Sequence, residues 1–128
     1  MLGEGSSWEN IGLSCNNSDA WLRGGSFTGR GGQTASGIEN YNATVHAEGV
    51  SARGAGASNE NYGVDNPYSS MTTVTQSVLE GATNSVSRSG GTVTVSNSRL
   101  VGGPVVGDVT CVLVTRDGTV STDGSTCP

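Results

Sequence analysis

A degenerate internal repeat constrains this chain more than any other feature of its sequence. The pattern apolar–x4–apolar–x–small occurs as Leu22…Phe27-Thr28-Gly29, Val45…Val50-Ser51-Ala52, Val74…Leu79-Glu80-Gly81 and Val95…Leu100-Val101-Gly102. Successive copies lie 23, 29 and 21 residues apart. A second pattern, small then apolar, precedes each copy: Gly12-Leu13, Gly37-Ile38, Gly63-Val64 and Ser85-Val86. A repeat of this size is one supersecondary unit stacked on itself, because a single unit cannot bury its apolar face alone.

The units read as β-strands. Ala43-Thr44-Val45, Thr72-Thr73-Val74 and Thr92-Val93-Thr94-Val95 are short, β-branched and alternating, as half-buried strands are. Gly, Ser and Asn interrupt them every ten residues or so, and no stretch has helical periodicity. Short strands with a period near 24 predict an all-β fold, a right-handed parallel β-helix of about four coils. Each coil climbs about 4.8 Å, so four coils span roughly 19 Å. Stacking the copies gives three inward apolar rows: Leu22-Val45-Val74-Val95, Phe27-Val50-Leu79-Leu100 and Leu13-Ile38-Val64-Val86. A fourth inward row is Ala20-Ala43-Thr72-Val93. Three rows are expected outward: Trp21-Thr44-Thr73-Thr94, Arg23-His46-Thr75-Ser96 and Ser14-Glu39-Asp65-Ser87. The long second interval contains Asn61–Tyr68, where the extra residues should bulge out as a loop, and Pro67, which cannot donate to a ladder, belongs to that turn.

Residues 1–104 form the coils on this reading, with 1–11 as an N-terminal cap, and 105–128 form a C-terminal cap of the same domain. Val109 to Thr115 is the strongest strand pattern. Arg116-Asp117-Gly118 reads as a turn and Thr119-Val120-Ser121 as the returning strand of a hairpin. Such a cap covers the apolar area and strand edges of the last coil.

Composition agrees with a structure full of tight corners. Gly accounts for 21 of 128 residues, well above the usual frequency of about 7 per cent. Apolar content is only 33%, yet the net charge is just −5, so the polarity comes from turn formers rather than from the charge that marks disorder. The acidic balance argues against a nucleic-acid partner. No run approaches the ~20 apolar residues of a membrane helix. The start, Met1-Leu2-Gly3-Glu4-Gly5, has neither the basic nor the apolar segment of a signal peptide. Among three cysteines, Cys111 and Cys127 are the disulfide candidate, a bridge worth roughly 3 kcal/mol by loop closure. The alternative is three buried thiols. No cysteine or histidine cluster points to a metal or another cofactor.

Several outward residues could carry chemistry, and each has a plain structural alternative. Glu39 and Asp65 occupy one row in adjacent coils, where two carboxylates raise each other's pKa or hold a cation or saccharide. Otherwise they are a solvated acidic pair. Arg30 and Arg53 share a position three residues after the second apolar row and could grip a carboxylate-bearing sugar. Lone His46, beside Arg23 and Thr75, lacks an evident nucleophile; Glu48 is two residues on. Tyr41, Tyr62 and Tyr68 could line a saccharide site. The Thr44-Thr73-Thr94 row with Trp21 resembles the flat Thr arrays of ice-binding surfaces, although Thr also favours strands for ordinary reasons. Asn40 and Asn66 are placed in an internal corner stack. No catalytic constellation emerges.

Three fragments carry a family resemblance: Glu60-Asn61-Tyr62-Gly63-Val64-Asp65-Asn66, Met71-Thr72-Thr73-Val74-Thr75 and the run from Val95 to Val105. They resemble repeats of bacterial and phage-associated right-handed parallel β-helix proteins, in the broad pectin-lyase-like class. The tail with Cys111 and Cys127-Pro128 resembles the way those proteins end. The class includes polysaccharide-acting enzymes, tail-spike parts and surface adhesins, and its enzymes have a longer solenoid with a substrate groove. The expected function is therefore a non-enzymatic structural or binding module that self-associates. A surface protein that binds or cleaves polysaccharide is the alternative, and ice binding a distant third. A homo-oligomer and a saccharide are the expected partners. An extracellular or cell-surface location is favoured over the cytoplasm.

Overall fold

The computed structural model describes residues 1–3, 8–122, 124 and 127–128. All elements among them are strands, wound into a β-solenoid of about four turns. In chain order they are β1 (Leu2–Gly3), β2 (Glu9–Asn16), β3 (Ala20–Arg23), β4 (Ser26–Arg30), β5 (Thr34–Tyr41), β6 (Thr44–Glu48), β7 (Ser51–Ala55), β8 (Glu60–Asn66) and β9 (Met71–Thr75). They continue as β10 (Val78–Gly81), β11 (Asn84–Arg88), β12 (Thr92–Ser96), β13 (Arg99–Gly102), β14 (Val105–Val106), β15 (Val109–Val112), β16 (Val114–Arg116) and β17 (Thr119–Ser121). Every third strand stacks on the last. The first sheet runs β1-β4-β7-β10-β13-β16-β17, the second β2-β5-β8-β11-β14 and the third β3-β6-β9-β12-β15.

The second sheet follows the expected register, with Leu13, Ile38, Val64 and Val86 in one row that extends to Val105. The other two sheets are shifted by two residues in one coil. Ala47, and not Val45, aligns with Leu22 and Val74. Ala52, and not Val50, aligns with Phe27 and Leu79. Val45 takes the row of Ala20 and Thr72, where Ala43 was expected. A two-residue slip keeps every side chain on its own face, so alternation cannot reveal it. Glycine decides the register instead. Gly54 stands between Gly29 and Gly81 in the first sheet. A Cβ there would lie 2.2 Å from the Ala35 carbonyl oxygen and 2.3 Å from that of Tyr62.

The slip rearranges the outer face of the third sheet. One outward row is Trp21-His46-Thr73-Thr94-Thr110, and the next is Arg23-Glu48-Thr75-Ser96-Val112. Thr44 leaves the threonine row and His46 joins it. The corner from the third sheet to the first repeats a left-handed residue in each coil: Gly24 (followed by Gly25), Gly49, Gln76, Asn97 and Leu113. At the opposite corner the expected asparagines are fully buried. The Asn40 amide donates to the Ala43 carbonyl and to Thr72 Oγ1. Thr72 Oγ1 donates to Asn66 Oδ1, and the Asn66 amide donates to the Gly90 carbonyl. Pro67 lies in the turn between β8 and β9, as expected, but that turn is only residues 67–70, and Asn61–Asn66 are strand β8 and not loop.

The cap differs from expectation in extent. Val109–Val112 is a further parallel rung of the third sheet, paired with β12, and not part of a hairpin strand. The chain turns at Leu113, and only β16 and β17 pair antiparallel. Asp117 and Gly118, at φ 47° and 83°, make the two-residue connection that both-positive dihedrals define. Cys111 and Cys127 are disulfide-bonded, and Cys15 is free and buried. The expected cap over 1–11 is not one unit: Leu2–Gly3 is a rung on β4 and Glu9 opens β2. Residues 4–7 of that expectation lie outside the described residues.

Candidate functional site

The second sheet bends along a line of glycines. β2 and β5 pair at Ile11 with Ser36 and at Leu13 with Ile38, with Gly12 and Gly37 between them. At Gly37 a Cβ would meet the Arg53 backbone nitrogen at 2.3 Å and the Ala52 carbonyl carbon at 2.6 Å. The first and second sheets therefore touch backbone to backbone here, far inside the usual spacing of about 10 Å. Side-chain alternation reverses across the bend. Past it, Ile38 and Val64 point inward and Glu39 and Asp65 outward. Before it, Ser36 turns its backbone to the first sheet: a Cβ on Gly29 would lie 2.4 Å from Ser36 O and 2.7 Å from Ser36 N. Ser36 and its row neighbour Tyr62 thus face outward too, and the outer surface folds into a groove along the solenoid axis.

The groove is acidic and tyrosine-lined. Glu39 sits at its floor with only 8% exposure, opposite Asp65 on the next rung. Burial first, then the charge of Glu9 and a hydrogen bond with it, then the charge of Asp65, push the Glu39 carboxyl up to about 7. Burial also raises Asp65, against a hydrogen bond with Ser87 that lowers it. Tyr62 is raised by burial and then by a hydrogen bond with Glu60. Tyr41 and Tyr68 pack at the border with ring centroids 4.4 Å apart, and their hydrogen bond is the main cause that raises Tyr41.

Of the residues singled out in the sequence, Glu39, Asp65 and Tyr62 come together in this groove. The arginines do not share a row. Arg53 stands opposite Thr28 and Glu80, and Arg30 opposite Ala55. Three residues after Phe27 lies Arg30, but the two-residue slip places Arg53 one residue after Ala52. Its Nε lies 3.1 Å from Glu80 Oε1, which makes Arg53 one half of a surface ion pair. His46 is not beside Arg23 and Thr75 in its row; it stacks on Trp21 with centroids 4.0 Å apart and 23° between planes. A shallow cleft of about 160 Å³ lies there, bordered by Arg23, Glu48, Thr73 and Thr75.

Sequence reasoning missed Glu9, Glu60 and Ser36. Strict alternation puts them on the opposite face from Glu39. The recurring glycine before each apolar residue was the available signal that alternation would break there. Among the described residues no three His, Cys, Asp or Glu side chains converge closely enough to hold a metal ion. Among the described residues no helix is long and apolar enough to cross a membrane. No family model, curated protein or solved structure matches this chain.

Proposed function

We propose that the chain is a non-enzymatic structural or binding module that associates with a second copy of itself. The observation that carries this reading is the difference between the two ends of the solenoid. At one end the β16–β17 hairpin pairs onto β13, the Cys111–Cys127 bridge ties in the tail, and the inward Val109, Cys111 and Val114 are buried. Each end leaves two outermost strands, β14 and β15 at the first and β2 and β3 at the other. The inward residues Leu13, Leu22 and Phe27 are only partly buried there, and Leu2 and Trp21 are exposed. Strand edges beside exposed apolar area favour pairing with further β-structure. Light scattering across a wide concentration range tests this. A dimer or larger species is expected, and Leu2→Glu with Trp21→Glu should return it to monomer. A strict monomer at high concentration overturns the reading.

The Glu39–Asp65 pair favours a second reading, a surface protein of the pectin-lyase-like, bacterial or phage-associated kind that binds or cleaves polysaccharide. The exposed Trp21 ring beside Arg23 and Glu48 offers a further platform for a sugar. Blank results in both a glycan array and a lyase assay on acidic polysaccharides with Ca²⁺ would remove it. Ice binding rests on Thr73, Thr94 and Thr110, and thermal hysteresis unchanged in Thr73→Tyr would end it.

A further inference from the structure

The groove of the second sheet carries negative charge that its own acidic members only intensify. The charges acting on Glu39 are those of Glu9 and Asp65, and those acting on Asp65 are Glu60 and Glu9. Between the two walls lies an independent oddity. Ser36 is fully buried, and its Oγ has no hydrogen-bond partner. Its backbone faces the first sheet, so its side chain leaves on the opposite side, that of the groove. Buried hydroxyls are normally satisfied, and an orphan marks a place where a partner fits.

We propose that this groove binds an organic primary ammonium, as carried by a linear di- or polyamine lying along the solenoid axis. An ammonium brings three N–H donors and one positive charge. The Glu39 and Asp65 carboxylates accept two of them, and Ser36 Oγ accepts the third. The acidic residues repeat with the rungs: Glu39 and Asp65 are one rung apart, and Glu9 and Glu60 are two apart with Thr34 between them. Rungs about 4.8 Å apart give a ladder of charge that suits a chain of spaced ammoniums better than a single ion. The metal alternative lacks three converging ligands among the described residues. The Tyr62 ring flanks the same carboxylates and adds a face that attracts cations. Glu39 on β5 and Asp65 on β8 lie one and two rungs in from the β2 edge, so this pair does not depend on self-association.

Proton linkage gives the proposal a signature that a loose ion cloud lacks. The titratable groups facing the site are Glu9 on β2, Glu39 and Tyr41 on β5, Glu60, Tyr62 and Asp65 on β8, and Tyr68 in the following turn. Glu39 holds its proton close to neutrality. An ammonium bound against it displaces that proton, so affinity should rise from pH 6 to pH 8. The test is calorimetric titration of the 128-residue chain with spermidine and with putrescine, in buffers of different ionisation enthalpy. Saturable binding with release of up to one proton is expected. Glu39→Gln with Asp65→Asn should weaken it at least tenfold, and Ser36→Ala several-fold, with circular dichroism confirming that the variants fold. Tetramethylammonium, which has no N–H, should bind much more weakly. No binding of either amine at millimolar concentration overturns the proposal. So does affinity unchanged in the double variant, or Ca²⁺ that binds the same residues more tightly than spermidine.

Discussion

One methyl group at position 37 is enough to push two sheets apart. The Cβ of Gly37→Ala would meet backbone atoms of Arg53 and Ala52, which cannot swing aside as a side chain can. The variant should lose about 3 kcal/mol, the upper part of the range for overpacking, read as a lower urea midpoint. Leu113 carries the opposite problem. It occupies the left-handed corner that Gly24 and Gly49 fill in earlier coils, with φ at 54°. Its side chain is half exposed, so little packing is lost by removing it. Leu113→Gly should raise stability by about 1 kcal/mol, seen as a higher thermal midpoint. Glu39 sets a pH dependence. Its carboxyl is pushed up to about 7 in the folded chain, against about 4.3 for an ordinary glutamate. Between those values the folded state binds the extra proton, so stability falls as pH rises through that window and levels off above it. The loss amounts to roughly 3 kcal/mol. Melting temperatures at pH 5 and pH 8 should differ in that direction, and Glu39→Gln should remove most of the difference.

At the scale of elements, the C-terminal hairpin is held to the last coil by the fully buried Val114, by the rung of β16 on β13 and by one arginine. Arg116 donates from Nη1 to the Gly102 and Gly103 carbonyls, from Nε to the Pro128 carbonyl and from Nη2 to Ser85 Oγ. Ser85 is where the glycine line Gly12-Gly37-Gly63 ends, and its hydroxyl is what the guanidinium reaches. In sequence Arg116 reads only as the start of a turn, because its partners lie in three other segments. Arg116→Ala should cost about 2 kcal/mol, and Arg116→Lys should restore only part, since an ammonium cannot reproduce the fork. Hydrogen exchange should then accelerate first in β13, β16 and β17. The Cys111–Cys127 bridge ties the tail to the third sheet by a different route. It closes a separation of 16 residues, and its reduction should lower stability by about 3 kcal/mol.

For the molecule as a whole, the repeat dictated much before any coordinate. Alternating β-branched segments, a period near 24 and Gly, Asn and Ser at the corners specify stacked parallel strands, because each of these is a local preference. The row Leu13-Ile38-Val64-Val86, the Pro67 turn, the Asn40 and Asn66 corner and the Glu39–Asp65 adjacency were all legible for that reason. Tertiary structure decided two things that local preference leaves open. One is the register of the second coil, where Val45 and Ala47 are equally good inward residues and only the contact of Gly54 with Ala35 and Tyr62 chooses between them. The other is the groove, which exists because Gly37 of the second sheet rests on Arg53 of the first. Alternation has a period of two and is blind to a shift of two. Contact between sheets joins residues from different coils and different faces, and no pattern confined to one strand can encode it.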